Sequence, residues 1–315
     1  MEGMASLPCD YAPWYTQLYL TKGALVIFVM ALPVTANKMD TNLNPAGCGK
    51  LGSKGRKYHG KPTSKENMPW VVQVKGVYDL SSGLASQCGG SIITKNLILT
   101  AAHCLFEEGA FALKVMVVYK SNLYNNGKAL EAEKMMLHPK FVNKLGMVHD
   151  VALVKLAVDL EFNRMIKPVC LPTAKMDLAG KTLVVAGWGT TESANSSEIL
   201  LHAEVVALPD DECQALLPRI IHPITRRRLH PGPAICASGE NQGSCRGDSG
   251  GPLTLTNDDG RTLQVGVVSI GVSCPSNAAS VYASVASHIK WIRRALNRPR
   301  KWRKLVFTRK EVNLG

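Results

Sequence analysis

The sequence predicts an all-β protein. Short runs rich in Val, Ile and Leu, at residues 71–74, 91–99 and 151–156, alternate with turns rich in Gly, Asn and Ser, and no long helical periodicity precedes the C-terminal region. With 315 residues, 46% of them hydrophobic, the chain can bury one large all-β domain or two small ones. Pattern alone leaves a β-sandwich and closed barrels both open.

The N-terminal element is an apolar core at residues 24–36, ending in Val34-Thr35-Ala36, a small-residue cleavage site. It is too short to span a bilayer comfortably, which takes about 20 apolar residues. The expected leader is therefore residues 1–36. The stretch ahead of the core carries Lys22 as its single base, so a start at a later methionine or a signal anchor are the alternatives.

The most informative stretch is Ser244-Cys245-Arg246-Gly247-Asp248-Ser249-Gly250-Gly251-Pro252-Leu253. Two glycines after a serine, and a Gly-Asp pair before it, allow a sharp bend. The bend exposes the Ser249 hydroxyl and aims backbone N–H groups at one point, as nucleophilic acyl transfer requires. A serine hydroxyl needs an adjacent base, and the base needs an orienting carboxylate. Thr100-Ala101-Ala102-His103-Cys104 follows an apolar run, and Asp150 directly precedes Val151-Ala152-Leu153-Val154-Lys155-Leu156. His138 and His149 compete with His103 as candidates, but neither lies in such a frame.

These three motifs, in the order His, Asp, Ser, resemble those of the chymotrypsin-like (trypsin-fold) serine proteases. Subtilisins and α/β-hydrolases use other orders. The resemblance covers about residues 57–297. It implies two packed six-stranded antiparallel β-barrels with a C-terminal helix, and a polypeptide substrate. It gives Ser249 the role of nucleophile, His103 that of general base and acid, and Asp150 that of orienting carboxylate. The N–H groups of Gly247 and Ser249 would form the oxyanion hole. No cofactor is implied. An α/β-hydrolase esterase is disfavoured by the triad order and by the lack of strand–helix alternation.

Nine cysteines occur, and no Cys-x-x-Cys pair or histidine cluster has zinc-ligand spacing, so no metal is expected. Eight cysteines leave about 105 pairings open. The resemblance implies Cys88–Cys104, Cys213–Cys236, Cys245–Cys274, and Cys48–Cys170 as a tether to the segment before the activation site. Cys9 is left over, ahead of the leader cleavage site. Disulfides imply an oxidising, extracellular compartment, and Asn195-Ser196-Ser197 is a glycosylation sequon.

Met68-Pro69-Trp70 before Val71 resembles the first strand of a mature enzyme of this family. Counting back by the family's interval reaches Lys57, and Gly55-Arg56 is a cleavage site for an activating trypsin-like protease. Residues 37–56 would be a propeptide, and the freed amine would pair with Asp248. The chain departs from the family here: the new start would be Lys57-Tyr58-His59-Gly60, where an apolar pair is usual. Burying an ammonium is costly, so a non-catalytic protease-fold binding protein, acting through its basic surface, is the competing reading.

Gly243, six residues before Ser249, would form the base of the primary pocket. It has no charge, so cleavage after apolar rather than basic residues is expected. Ser244, Ser269 and Gly271 would line the pocket, and Ser280, where glycine is usual, would narrow it. Ser269 would also help hold Asp150.

Val285, Ile289, Ile292 and Leu296 share one face of a predicted terminal helix. Between Lys290 and Lys310 lie ten Lys or Arg residues and no acid, most of the formal net charge of +13. The basic tail, residues 298–315, interleaves these with Trp302 and Phe307. It suits a polyanion such as a glycosaminoglycan, or it is simply solvated. Nothing resembles a base-reading motif, so no specific nucleic acid is expected. The expected assembly is a monomer.

Overall fold

The computed structural model describes residues 14–21, 24–31, 39–51, 62–64, 66–107, 109–141, 148–191, 196–220, 233–240, 243–270, 279–298, 301–305 and 312–314. The chain divides into an N-terminal unit, residues 1–38, and a main unit from residue 39 onward. In the N-terminal unit, Trp14–Thr21 pairs antiparallel with Ala24–Ala31 in continuous register. The apolar run expected of a leader thus begins as the second strand of this hairpin.

The main unit contains two closed six-stranded antiparallel barrels. The first is built from β1 (Val71–Val77), β2 (Ala85–Ile92), β3 (Leu97–Thr100), β4 (Lys114–Tyr119), β5 (Gly127–Leu137) and β6 (Ala152–Leu156). Its ring runs β1-β2-β3-β6-β5-β4 and closes where β4 pairs with β1. The β-branched residues suit a pleated, buried surface. Val72, Val74, Leu97, Leu99, Val117 and Leu153 fill the core.

The second barrel uses β7 (Thr182–Gly187), β8 (Leu201–Ala207), β9 (Ala234–Ser238), β10 (Pro252–Thr256), β11 (Thr262–Ile270) and β12 (Ser280–Ser284). Its closed order is β7-β8-β9-β12-β11-β10. Leu183, Val185, Val205, Leu253 and Tyr282 fill its core.

A short helix, α1 (Asp210–Leu216), and the C-terminal helix, α2 (Val285–Leu296), complete the frame. The Ser284 hydroxyl caps α2 by accepting the Ser287 N–H, satisfying one orphan donor of the first turn. The four apolar residues expected on one face of α2 are all buried. Three disulfides join the expected partners: Cys48–Cys170, Cys88–Cys104 and Cys213–Cys236. Cys245 is also disulfide-bonded, and its expected partner Cys274 lies outside the described residues.

After α2 the structure departs from a solvated tail. Trp302 is buried at 5% exposure and its indole N–H donates to the Ala295 carbonyl at 3.0 Å. The strand β13 (Arg303–Lys304) pairs with Met135 and Lys134 of β5. The Leu305 N–H donates to the Glu133 carbonyl at 3.1 Å. A further strand, β14 (Val312–Leu314), pairs with β5 at Ala129–Gly127. A buried indole and paired backbone outweigh the solvation of the flanking bases, whose charged side chains stay exposed.

Candidate active site

The candidate groups come from loops at the edges of both barrels. His103 follows β3 through Ala101 and Ala102, both fully buried. Its neighbour Cys104 is tied to Cys88 on β2. A loop of that size closed by a disulfide is worth about 3 kcal/mol in the chain-entropy view.

Asp150 sits just before β6 with no exposed surface. Three donors surround its carboxylate. The His103 backbone N–H reaches Oδ1 at 2.9 Å, His103 Nδ1 lies 2.7 Å from Oδ2, and the Ser269 hydroxyl donates to Oδ2 at 2.6 Å. A buried charge needs such satisfaction. Asp150 also sets the state of His103. Burial alone would lower the imidazole pKa, but the charge of Asp150 and its hydrogen bond outweigh burial and raise it above the usual value. The carboxylate fixes the Nδ1–H tautomer, leaving Nε2 as the basic nitrogen.

Ser249 lies on the loop between β9 and β10, pinned by a set of backbone bonds. Its carbonyl accepts the Gly89 N–H at 2.7 Å, and Gly250 N–H donates to Val268 at 2.8 Å. Gly250 has φ +79°, and a Cβ there would collide with the Thr100 hydroxyl and the Gly89 carbonyl. Only glycine lets the serine loop approach the first barrel so closely. Gly247 has φ +100°, and neither Gly247 N–H nor Ser249 N–H donates to any group among the described residues. Both amides remain available to a ligand. His103 and Ser249 side chains are not hydrogen-bonded to each other here; His103 Nε2 instead lies 3.8 Å from Cys104 Sγ. Such bonds commonly tighten only with substrate bound.

Asp248 points away from Ser249 into a cradle of Gly187 and Gly189, where any side chain would overlap its carboxylate. It accepts the N–H groups of Gly189 and Cys245, each at 2.8 Å. It is buried, and no cation pairs with it among the described residues. Burial pushes its pKa up to about 6, against the pull of the two amides. The sequence analysis gave Gly187 and Gly189 no role and missed this cradle. Two glycines flanking a tryptophan were the available signal.

Gly243 and Ser280 face one another: a Cβ at Gly243 would stand 3.3 Å from Ser280 Oγ. Ser244 and Ser280 are buried beside the hydroxyl of the fully buried Tyr282. Burial pushes that phenol up to about 12, opposed by the two serine hydroxyls. Ser269 commits its hydroxyl to Asp150. Gly271, Arg56, Lys57 and Asn195 lie outside the described residues.

Two closed barrels, with a buried aspartate paired to His103 and a pinned serine turn on loops from both, define a serine hydrolase of the two-barrel class. The trypsin family model matches residues 57–292. Serine protease 7 of Drosophila melanogaster is 32% identical over 271 residues, covering 79% of this chain and 67% of that protein. Serine proteinase stubble of Drosophila melanogaster is 32% identical over 241 residues, covering 74% of this chain but 30% of that protein. Among solved structures, HL collagenase superposes with TM-score 0.63 at 26% identity, covering 76% of this chain and 99% of the other. The chain belongs to the trypsin family of serine proteases, and its chemical class is that of a serine endopeptidase.

Proposed function

We propose that the protein is a secreted zymogen. Cleavage after Arg56 by a trypsin-like protease frees the Lys57 amine, which pairs with Asp248. The processed enzyme cuts polypeptides after apolar residues. The observation that carries this reading is the buried Asp248, one residue before Ser249, with no cation beside it among the described residues. A carboxylate held at this cost suits a counter-charge created by processing, and anchoring it steadies the turn that carries Gly247 and Ser249.

In the proposed reaction, His103 Nε2 takes the Ser249 proton as the oxygen attacks the scissile carbonyl. The free N–H groups of Gly247 and Ser249 receive the developing oxyanion, each worth about 3–4 kcal/mol in comparable sites. His103, steadied by Asp150, returns the proton to the leaving amine. Water then attacks the acyl-enzyme by the same path in reverse. The uncharged Gly243 opposite Ser280 supports a neutral, narrowed pocket. Disulfides support an oxidising compartment, and no helix among the described residues is long and apolar enough to cross a membrane. The exposed bases of Arg303 and Lys304 support an accessory contact with polyanions.

The test is N-terminal sequencing of the mature protein together with fluorophosphonate labelling of wild type and Ser249→Ala. A start at Lys57, with label lost in the variant, is the expected result. Correct processing without label would overturn the catalytic reading in favour of a binding protein on the same scaffold. That second reading is favoured by one feature, a polar Lys57 at the new terminus.

A further inference from the structure

Three histidines far apart in the chain meet behind the Asp150 loop. His138 follows β5, His149 directly precedes Asp150, and His288 lies on α2. His149 Nδ1 is 3.0 Å from His288 Nε2. The His138 ring stacks on His149 at 4.6 Å and meets His288 edge-on at 5.1 Å. One ligand nitrogen from each residue lies within 4.8 Å of the others.

The geometry points to a binding site for a borderline divalent transition cation, of the Zn²⁺ class, held by His138, His149 and His288. Tetrahedral coordination with metal–nitrogen bonds of about 2.0–2.1 Å sets ligand nitrogens about 3.4 Å apart. His149 and His288 nearly meet that spacing, and His138 completes it by turning out of its stack. His288 is already oriented as a ligand: its Nδ1–H donates to the Ser284 carbonyl at 2.6 Å. That bond leaves the Nε2 lone pair facing the cluster, the usual outer-shell arrangement of a metal-bound histidine. His138 Nδ1 accepts only a long 3.3 Å contact from the Lys140 N–H, so turning this ring trades its packing on His149 and Trp291 but no strong hydrogen bond.

Lys140 opposes a cation at His138 and His149, but it is solvent-exposed and screened. The negative charge of Asp150 acts on His288 in the favourable sense. Imidazole ligands select Zn²⁺, Co²⁺, Ni²⁺ or Cu²⁺ over Mg²⁺ and Ca²⁺. His149 has φ +56°, uncommon for a residue with a side chain. It precedes Asp150 without an intervening residue, so a metal drawing on His149 shifts the peptide that holds the carboxylate against His103. The bound ion therefore inhibits peptidase activity from behind the site; this consequence, unlike binding itself, rests on the catalytic reading.

The test titrates Co²⁺ into the full-length Ser249→Ala protein and follows the visible bands of tetrahedral cobalt, then displaces it with Zn²⁺. One equivalent is expected. His138→Gln and His288→Gln should each weaken binding by at least about tenfold, a loss that outer-shell changes alone can reach. His202→Gln, outside the cluster, should not. No tetrahedral bands, or full affinity in both cluster variants, overturns the site. In the active enzyme, Zn²⁺ should lower kcat without competing with substrate, and His138→Gln should remove that sensitivity. Binding without inhibition overturns the regulatory consequence alone. An enzyme that fails to label at Ser249 leaves the cobalt readout intact, so the two failures are distinguishable.

Discussion

Asp248 makes the unprocessed chain pH-sensitive in an unusual direction. An isolated aspartate has a pKa of about 3.9, whereas burial in the Gly187–Gly189 cradle pushes Asp248 up to about 6. The folded state therefore disfavours the charged form. Its penalty is absent below the unfolded pKa and grows as pH rises through the folded one. A difference of roughly two pKa units is worth about 3 kcal/mol at full development, and about 2 kcal/mol of it falls between pH 4.5 and 7.5. The buried neutral histidines push the other way, so the raw pH profile does not isolate Asp248. Comparison with Asp248→Asn does. The assay is urea denaturation of the uncut chain, held uncut and inert by Arg56→Gln and Ser249→Ala, at both pH values. Asparagine sets an N–H against one of the two amide donors, a cost independent of pH, so the readout is the change with pH. On going from pH 4.5 to 7.5, the Asp248 protein should lose about 2 kcal/mol relative to the Asp248→Asn protein. Parallel pH profiles would refute the reasoning and show that Asp248 is already neutralised by a partner before processing.

Four further outcomes are expected. Asp150→Asn should lower kcat by about 10⁴-fold, because the tautomer of His103 is lost. Ser269→Ala, which removes one of three donors to a buried carboxylate, should lower it by about ten- to a hundredfold; steady-state kinetics on a peptide substrate check both. Ser280→Gly deletes the hydroxymethyl opposite Gly243 and should raise the preference for Phe over Ala at the cleaved bond by about tenfold or more, read as a ratio of kcat/KM values. Trp302→Ala should cost about 3–5 kcal/mol in urea denaturation, because Trp302 is buried and hydrogen-bonded to Ala295. A loss below about 0.5 kcal/mol, as for an ordinary surface change, would mean that the tail is not docked in solution.

What was legible in the sequence was what local motifs carry. Ser249 with its flanking glycines, His103 after an apolar strand, and Asp150 before another each bring their own backbone geometry. The apolar face of α2 was legible because four residues at helical spacing fix which side is buried. The histidine cluster was not legible, because ligand spacing along a chain signals a metal site only when one element supplies the ligands. Here the residue after β5, the loop before β6, and α2 supply one each, and only closure of the first barrel and docking of α2 bring them together. The tail misled for a related reason. Ten bases without an acid suggest a solvated segment, and charge counting gives Trp302 and Leu305 no weight. Those two residues bury themselves while Arg303 and Lys304 between them face solvent and pair their backbone with β5. Arg303 and Lys304 are thus held at a fixed place on the first barrel. The polyanion proposed above would meet there two cations whose backbone entropy is already spent on folding.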